Sequence, residues 1–270
     1  MENDFLRVRR RQVLARLVNR LRREPDDVNL VLPFDEVVAA LGRRGERSLG
    51  LRSIQLDRVV GTVDSPHDFD RRFRPTSSKV RERWERLALA QRRGESMPPI
   101  DVYQVGDLYF VKDGHHRVSI AVATRQKSID AYVTEVLTVL PAKGIRRRSD
   151  LLVKSYEREF RARVPLPARA QQAITVNDPW TYAELGHAVE AWGFRAMQHE
   201  HAFLDREEVA RRWYAEEYIP VVRMLREADL IGATRTEAEA YLRVASERYR
   251  LLRTHEWSDE IIGRLRRKIR

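Results

Sequence analysis

Residues 98–122 read PPIDVYQVGDLYFVKDGHHRVSIAV. Two β-rich runs, 100–105 and 108–111, flank Gly106-Asp107, a dipeptide suited to a tight hairpin turn. The second run leads into Asp113-Gly114, then His115, His116 and Arg117, and residues 116–125 have helical character. The chain thus passes from a strand to a helix across a glycine. The junction carries two imidazoles and a guanidinium.

Such a junction suits an anion. The first turn of a helix has unpaired N–H groups and the positive end of the helix dipole. Gly114 permits an unusual backbone angle and a close approach to a ligand. His116 and Arg117 add donors, and Arg117 can grip phosphate oxygens through two parallel bonds. Asp113 is placed to orient a histidine or to meet a metal ion carried by phosphates. Asp113, His115 and His116 are the candidate catalytic groups. The same five residues also fit an ordinary turn in which Asp113 caps the helix and the histidines face solvent.

Outward from the junction, 54–61 (IQLDRVVG) reads as a strand, 62–75 as a turn-rich irregular segment, and 78–93 as a helix with Val80, Trp84, Leu87 and Ala88 on one face. Ile129, Ala131 and Val133 alternate as a further strand. Together these elements predict a small α+β domain over 50–140. Before it, residues 1–49 form a basic helical segment. Its helix over 5–23 aligns Val13, Leu14, Leu17, Val18 and Leu21, a stripe expected to pack on the protein and leave the arginines in water, with a helix lying on nucleic acid or a membrane as the alternative. A short helix is expected at 34–41 and a loop at 43–50. After it, 141–270 reads as an all-helical domain: a basic helix over 147–163, a proline-marked linker or domain edge at 164–170, a helical run over 206–228 kinked by Pro220, and a helix to Leu252 capped by Thr234 or Thr236.

Composition narrows the chemistry. The 270 residues contain no cysteine, which excludes disulfides, a cysteine nucleophile and thiolate metal sites, and fits a reducing cytoplasm. No run approaches the roughly 18 apolar residues of a membrane span. The start, MENDFLRVRRR, has no apolar core of a secretory signal, so no membrane partner is expected. The net charge of +11 is concentrated: 1–24, 141–163 and 261–270 each carry +5, leaving −4 elsewhere. Clusters of this kind attract polyanions, nucleic acid first.

Over residues 52–136, about a third of the chain, the sequence resembles the N-terminal domain of the ParB/sulfiredoxin superfamily. The resemblance rests on IQLDRVVGT, HDFDRRF, the helix around Trp84 and the 98–122 stretch, in matching order and spacing. In form the DGHHR loop is closest to the Asp-Gly-His-Thr-Arg loop of free serine kinases on that fold. The resemblance implies a nucleoside triphosphate, ATP or CTP, with magnesium. Gly114, His116, Arg117 and Ser119 are expected at the phosphates, with Arg71 and Arg72 as further nucleotide contacts. It implies a base among Asp64, Asp68 and Asp70, and a homodimer. Sulfiredoxin chemistry is excluded because the chain lacks the cysteine. The Asn-rich segment of a ParB CTP clamp is absent from VTEVLTVLPA (133–142), which speaks against a gated sliding clamp.

Other groups have plainer readings. His199-Glu200-His201, with His187 and Asp205 nearby, resembles a metal set, but helical residues two apart face different directions, so no metal site is expected. Trp180, Tyr182, Trp192, Phe194, Trp213 and Tyr214 are expected in a helical core. The leading expectation is a cytoplasmic, ParB-like nucleotide-binding protein with DNA contact. The alternatives are a phosphotransferase, NTPase or nuclease using the same loop, and a helical interaction module with a vestigial motif.

Overall fold

The structure, a computed structural model, describes residues 2–23, 25–64, 67–252 and 255–269. Ser65 and Pro66, inside the segment read as irregular, and Glu24 and Arg270, counted in the basic ends, lie outside the described residues. The chain is a mixed α/β protein with one six-stranded sheet. It divides into two compact units, Met1–Ser155 and Tyr156–Arg270.

The first unit holds every described strand. Its elements are α1 (Glu2–Leu21), β1 (Leu32–Pro33), α2 (Phe34–Leu41), β2 (Arg43–Gln55), β3 (Val59–Thr62), α3 (Arg81–Arg92), β4 (Ile100–Val105), β5 (Leu108–Asp113), α4 (His115–Ala123), β6 (Ser128–Thr138) and the start of α5 (Asp150–Arg163). The strand order is β1-β3-β5-β4-β6-β2. The β4–β5 hairpin and the β2–β6 pair are antiparallel, whereas β1–β3, β3–β5 and β4–β6 are parallel.

Alternation along the strands sorts side chains into two cores, one on each sheet face. Ile100, Val102, Val111, Ala131 and Val133 point to one face, where they pack with Trp84 of α3, with Val118, Ile120 and Ala121 of α4, and with Phe5 of α1. Val60, Val105, Phe110 and Val136 point to the other, against α2 and against Leu140, Ile145 and Leu151. The last segment is tied down by Arg148, which grips both carboxylate oxygens of Glu36, and by the Ser149 N–H on Asp27.

Four readings of this region are corrected. Residues 43–50 are not a loop but the first half of β2, so the expected boundary at 49/50 falls inside a strand, and 1–49 belongs to the same compact unit. The stretch 54–61 is not one strand: a single 3-10 turn over Leu56–Arg58 separates β2 from β3. Helix α1 forms, but it is turned the other way about. Phe5 is fully buried and Gln12 nearly so, while Val13, Leu14, Leu17, Val18 and Leu21 are 42–84% exposed. Asp70 is buried and structural, receiving the Arg72 and Arg74 N–H groups on one oxygen and the Arg74 guanidinium on the other. It holds the 68–76 loop and is not free to act as a base.

The second unit is helical: the rest of α5, α6 (Ala168–Ala173), α7 (Trp180–Glu200), α8 (Arg206–Arg212), α9 (Ile219–Glu227), α10 (Glu237–Leu252) and α11 (Asp259–Ile269). The segment 164–170 is not an exposed linker, because Val164 and Leu166 are buried. A π-helical turn, Trp213–Tyr218, joins α8 to α9. Pro220 lies two residues beyond it, in the first turn of α9; it has no N–H to give to a helical bond, and a widened turn is one way to absorb that loss. Trp213, Tyr218 and Tyr182 are core residues, while Trp180 and Phe194 are 62% and 58% exposed. Among the described residues no group of three or more His, Cys, Asp or Glu could hold a metal ion.

Candidate functional site

The parallel strands β1, β3 and β5 end on the same sheet edge, at Pro33, Thr62 and Asp113. In open α/β sheets, ligands collect outside the carboxyl ends of parallel strands. The DGHHR turn lies at this edge. Gly114 has φ +100°, in the left-handed region, and α4 starts at the next residue with no side chain capping it. A Cβ on Gly114 would fall 2.4 Å from Ile100 Cγ2. The glycine therefore serves both the turn and the packing of the turn on β4.

His115, the first residue of α4, turns towards β3. Its Nε2 shares a 2.5 Å hydrogen bond with Thr62 Oγ1, and Phe69 stacks over its ring at 6.2 Å. Thr62 is buried at the end of the neighbouring strand, so the sheet register fixes the imidazole. Burial lowers the His115 pKa, and the nearby carboxylates Asp113, Asp64 and Asp68 partly offset this. His116 meets Phe69 edge-on at 5.4 Å. Its pKa falls to about 4, from burial first, then from the positive charge of Arg83 and from His115. Its Nε2 is buried with no partner. Burial thus favours the neutral form of both imidazoles.

Two expected phosphate contacts have other employment. Arg117 is largely buried. It donates to the carbonyls of Pro98 and Pro99 at 2.7 and 2.6 Å and to Asp113 Oδ2 at 2.5 Å. It clamps the entry to β4 against the turn. Ser119 is buried and accepts the Trp84 indole N–H at 3.0 Å. It is a core residue, which overturns its expected place at the phosphates. Arg71 and Arg72 are not brought to the turn: they line a cavity of about 430 Å³ with Val122 and Gln126, at the other end of α4 from His115. The Arg71 guanidinium donates to the Val60 carbonyl, and burial lowers its pKa to about 10.

Sequence reasoning missed the neighbours of the turn. Phe69 touches both imidazoles and also lines a cavity of about 650 Å³, together with Gln12, Arg16, Asn19 and Arg20 of α1 and with Asn29 and His67. That volume lies within the range of small-ligand sites. Its walls are polar and basic with one aromatic face. Thr62 could have been found as the last residue of a strand parallel to the one that carries the turn; Arg16 and Arg20 carried no signal beyond their charge.

Asp113, Gly114, His115 and His116 are therefore gathered with Thr62, Asp64, Asp68, Phe69 and Arg83, whereas Arg71, Arg72 and Ser119 are not. Comparison of the chain with protein-family models, with curated proteins and with solved structures gives no match.

Proposed function

We propose that the first unit is a ParB/sulfiredoxin-like nucleotide-binding domain, with phosphates taken at the turn of residues 113–116. The observation that carries this reading is the junction itself: an uncapped helix start after a left-handed glycine, at the carboxyl edge of parallel strands. The adjoining cavity behind Phe69 has room for a nucleoside, and Arg16, Arg20 and Arg83 supply the positive charge that Arg117 does not. Magnesium would have to arrive on the phosphates and draw on single carboxylates such as Asp113, Asp64 or Asp68, since among the described residues no three acids are grouped to hold an ion by themselves.

A specific observation favours a second reading, phosphotransfer or hydrolysis at the same turn. His115 is oriented by Thr62, and burial, partly offset by three nearby carboxylates, favours its neutral form, the setting of a general base. DNA contact by the basic segments, in a cytoplasmic homodimer of regulatory or partitioning type, is supported by charge alone. In the central cluster, Arg147, Arg148, Arg161 and Arg163 are each paired with an acid, which reduces the charge left for a polyanion.

The test is a thermal-shift panel of ATP, ADP, CTP, GTP and UTP, with and without magnesium, on the wild type and on His115→Ala. A nucleotide at about 100 times its dissociation constant adds roughly 2.7 kcal/mol. The expected result is a shift with one nucleotide that His115→Ala loses while staying folded. A folded wild type that shifts with none of them overturns the proposal. A turnover assay with the same nucleotide then separates binding from catalysis.

A further inference from the structure

Helix α1 docks by the face that its sequence marks as the less apolar. Phe5, Val8, Gln12, Ala15 and Asn19 fall on one side by the 3.6-residue period, and all are buried or half-buried. Trp84 of α3 receives Phe5 edge-on at 5.7 Å. Gln12 and Asn19 line the polar 650 Å³ cavity, which explains why amides rather than leucines face inward. The opposite side then presents Val13, Leu14, Leu17, Val18 and Leu21 to solvent, at 47, 60, 52, 42 and 84% exposure. A continuous apolar stripe on the outside of a helix marks an interaction surface.

Charge selects its occupant. Between Phe5 and Arg23 there is no acidic residue and there are eight arginines. By the same helical period, Arg9, Arg16 and Arg20 border one side of the stripe and Arg11 and Arg22 the other, while Arg7 and Arg10 lie on the stripe's own face in the turns that precede Val13. A nucleic acid would use the arginines but leave five aliphatic chains in water. A second copy of the helix would bring two arginine-bordered stripes together, charge against like charge. An anionic bilayer surface satisfies both features: the stripe enters the acyl boundary while the flanking guanidiniums lie at the headgroup phosphates.

We propose that the outer face of α1 is an in-plane docking surface for anionic lipid membranes. No described helix is long and apolar enough to cross a membrane; this one lies along it. The proposal shares Arg16 and Arg20 with the nucleotide reading, but the apolar stripe and the 113–116 turn use different residues, so a variant confined to the stripe tests the membrane surface alone.

The experiment is co-sedimentation of the full chain with vesicles of phosphatidylcholine mixed with phosphatidylserine, and with phosphatidylcholine alone. It compares the wild type with Leu14→Gln/Leu17→Gln, a double variant at exposed positions whose folding circular dichroism would confirm. Light scattering gives the mass of each protein without vesicles. The expected result is that the wild type pellets with the anionic vesicles at low salt, releases at high salt and ignores the neutral ones. The double variant should bind at least about tenfold more weakly. Three outcomes would overturn the proposal: a wild type left in the supernatant with anionic vesicles, a double variant that pellets equally well, or a dimer that the double substitution splits in the absence of vesicle binding.

Discussion

Gly114 answers to two constraints that only glycine meets together. Its φ of +100° lies where L side chains are strained, and the space a Cβ would need is held by Ile100, a fully buried side chain that β4 fixes in place. Gly114→Ala should therefore cost about 2–4 kcal/mol of unfolding free energy, from backbone strain and overpacking together. Urea denaturation measures it, and a loss below about 1 kcal/mol would show that the turn relaxes freely. His116 makes a different prediction. Its folded pKa of about 4 lies below the ordinary 6.5, so the unfolded chain takes up the proton first as pH falls. Its contribution is nil above pH 6.5 and grows increasingly unfavourable down to about pH 4. The full window corresponds to about 2–3 kcal/mol, allowing for partial solvent access. His116→Leu should flatten the dependence of the melting temperature on pH between these limits. An unchanged slope would exclude His116 as its source.

At the scale of elements, the start of α10 offers the sharpest contrast. Thr236 Oγ1 accepts the Glu239 N–H at 3.3 Å, and Glu239 Oε2 accepts the Thr236 N–H at 2.9 Å, a reciprocal capping box. Glu239 also receives the backbone N–H groups of Asn177 and Asp178 at 2.6 and 3.1 Å, ahead of α7. Thr236→Ala should cost about 1 kcal/mol, and Glu239→Ala about 2–3, because the second leaves three backbone N–H groups and the Asn177 side-chain amide without their carboxylate. Equal losses in thermal denaturation would mean that the carboxylate does no more than cap. This cap was legible, since Thr-x-x-Glu before an apolar run is a local signal. The β4–β5 hairpin was legible for the same reason, through Gly106-Asp107 between two β-rich runs. Strand β2 was not. It is an edge strand in which only Ile54 is buried, and RRGERSLG has no period to read. Its conformation comes from pairing with β6 at positions distant in sequence, with Arg47 against Glu135 across the two strands. Such charged edges resist unwanted pairing, and their polarity is what makes them look like loops. The orientation of α1 was equally hidden: amphipathic periodicity names a stripe, but the polar cavity beneath the helix decides which face turns in. For the site, the turn itself could be read, whereas the bonds that Ser119 makes to Trp84 and Arg117 to Pro98 and Pro99 could not, because helical spacing does not say which groups the fold will claim.

For the whole molecule, the division at Ser155/Tyr156 falls within α5 and not at a glycine- or proline-rich linker. Each side nevertheless has its own core: a sheet with apolar clusters on both faces in the first unit, and an aromatic core around Trp213, Tyr218 and Tyr241 in the second. That second core encloses polar groups. Glu217 accepts the Tyr241 hydroxyl at 3.2 Å and the Trp257 indole N–H at 2.8 Å, while the Tyr218 hydroxyl and Arg248 Nε are buried without partners. Unpaired buried polar atoms reduce stability; the described residues of the first unit also hold two, Ser77 Oγ and His116 Nε2, but that unit is knit by long-range strand pairing that the described residues of the helical unit do not have. The helical unit should accordingly open first. Hydrogen exchange read by mass spectrometry across a urea series measures this peptide by peptide. The expected outcome is that peptides from 180–250 lose protection at lower urea than peptides from β4, β5 and β6, with α5 dividing between the two behaviours. A single shared midpoint for all of them would mean that the continuous α5 helix couples the units into one cooperative transition, and the two cores would then have to be treated as one.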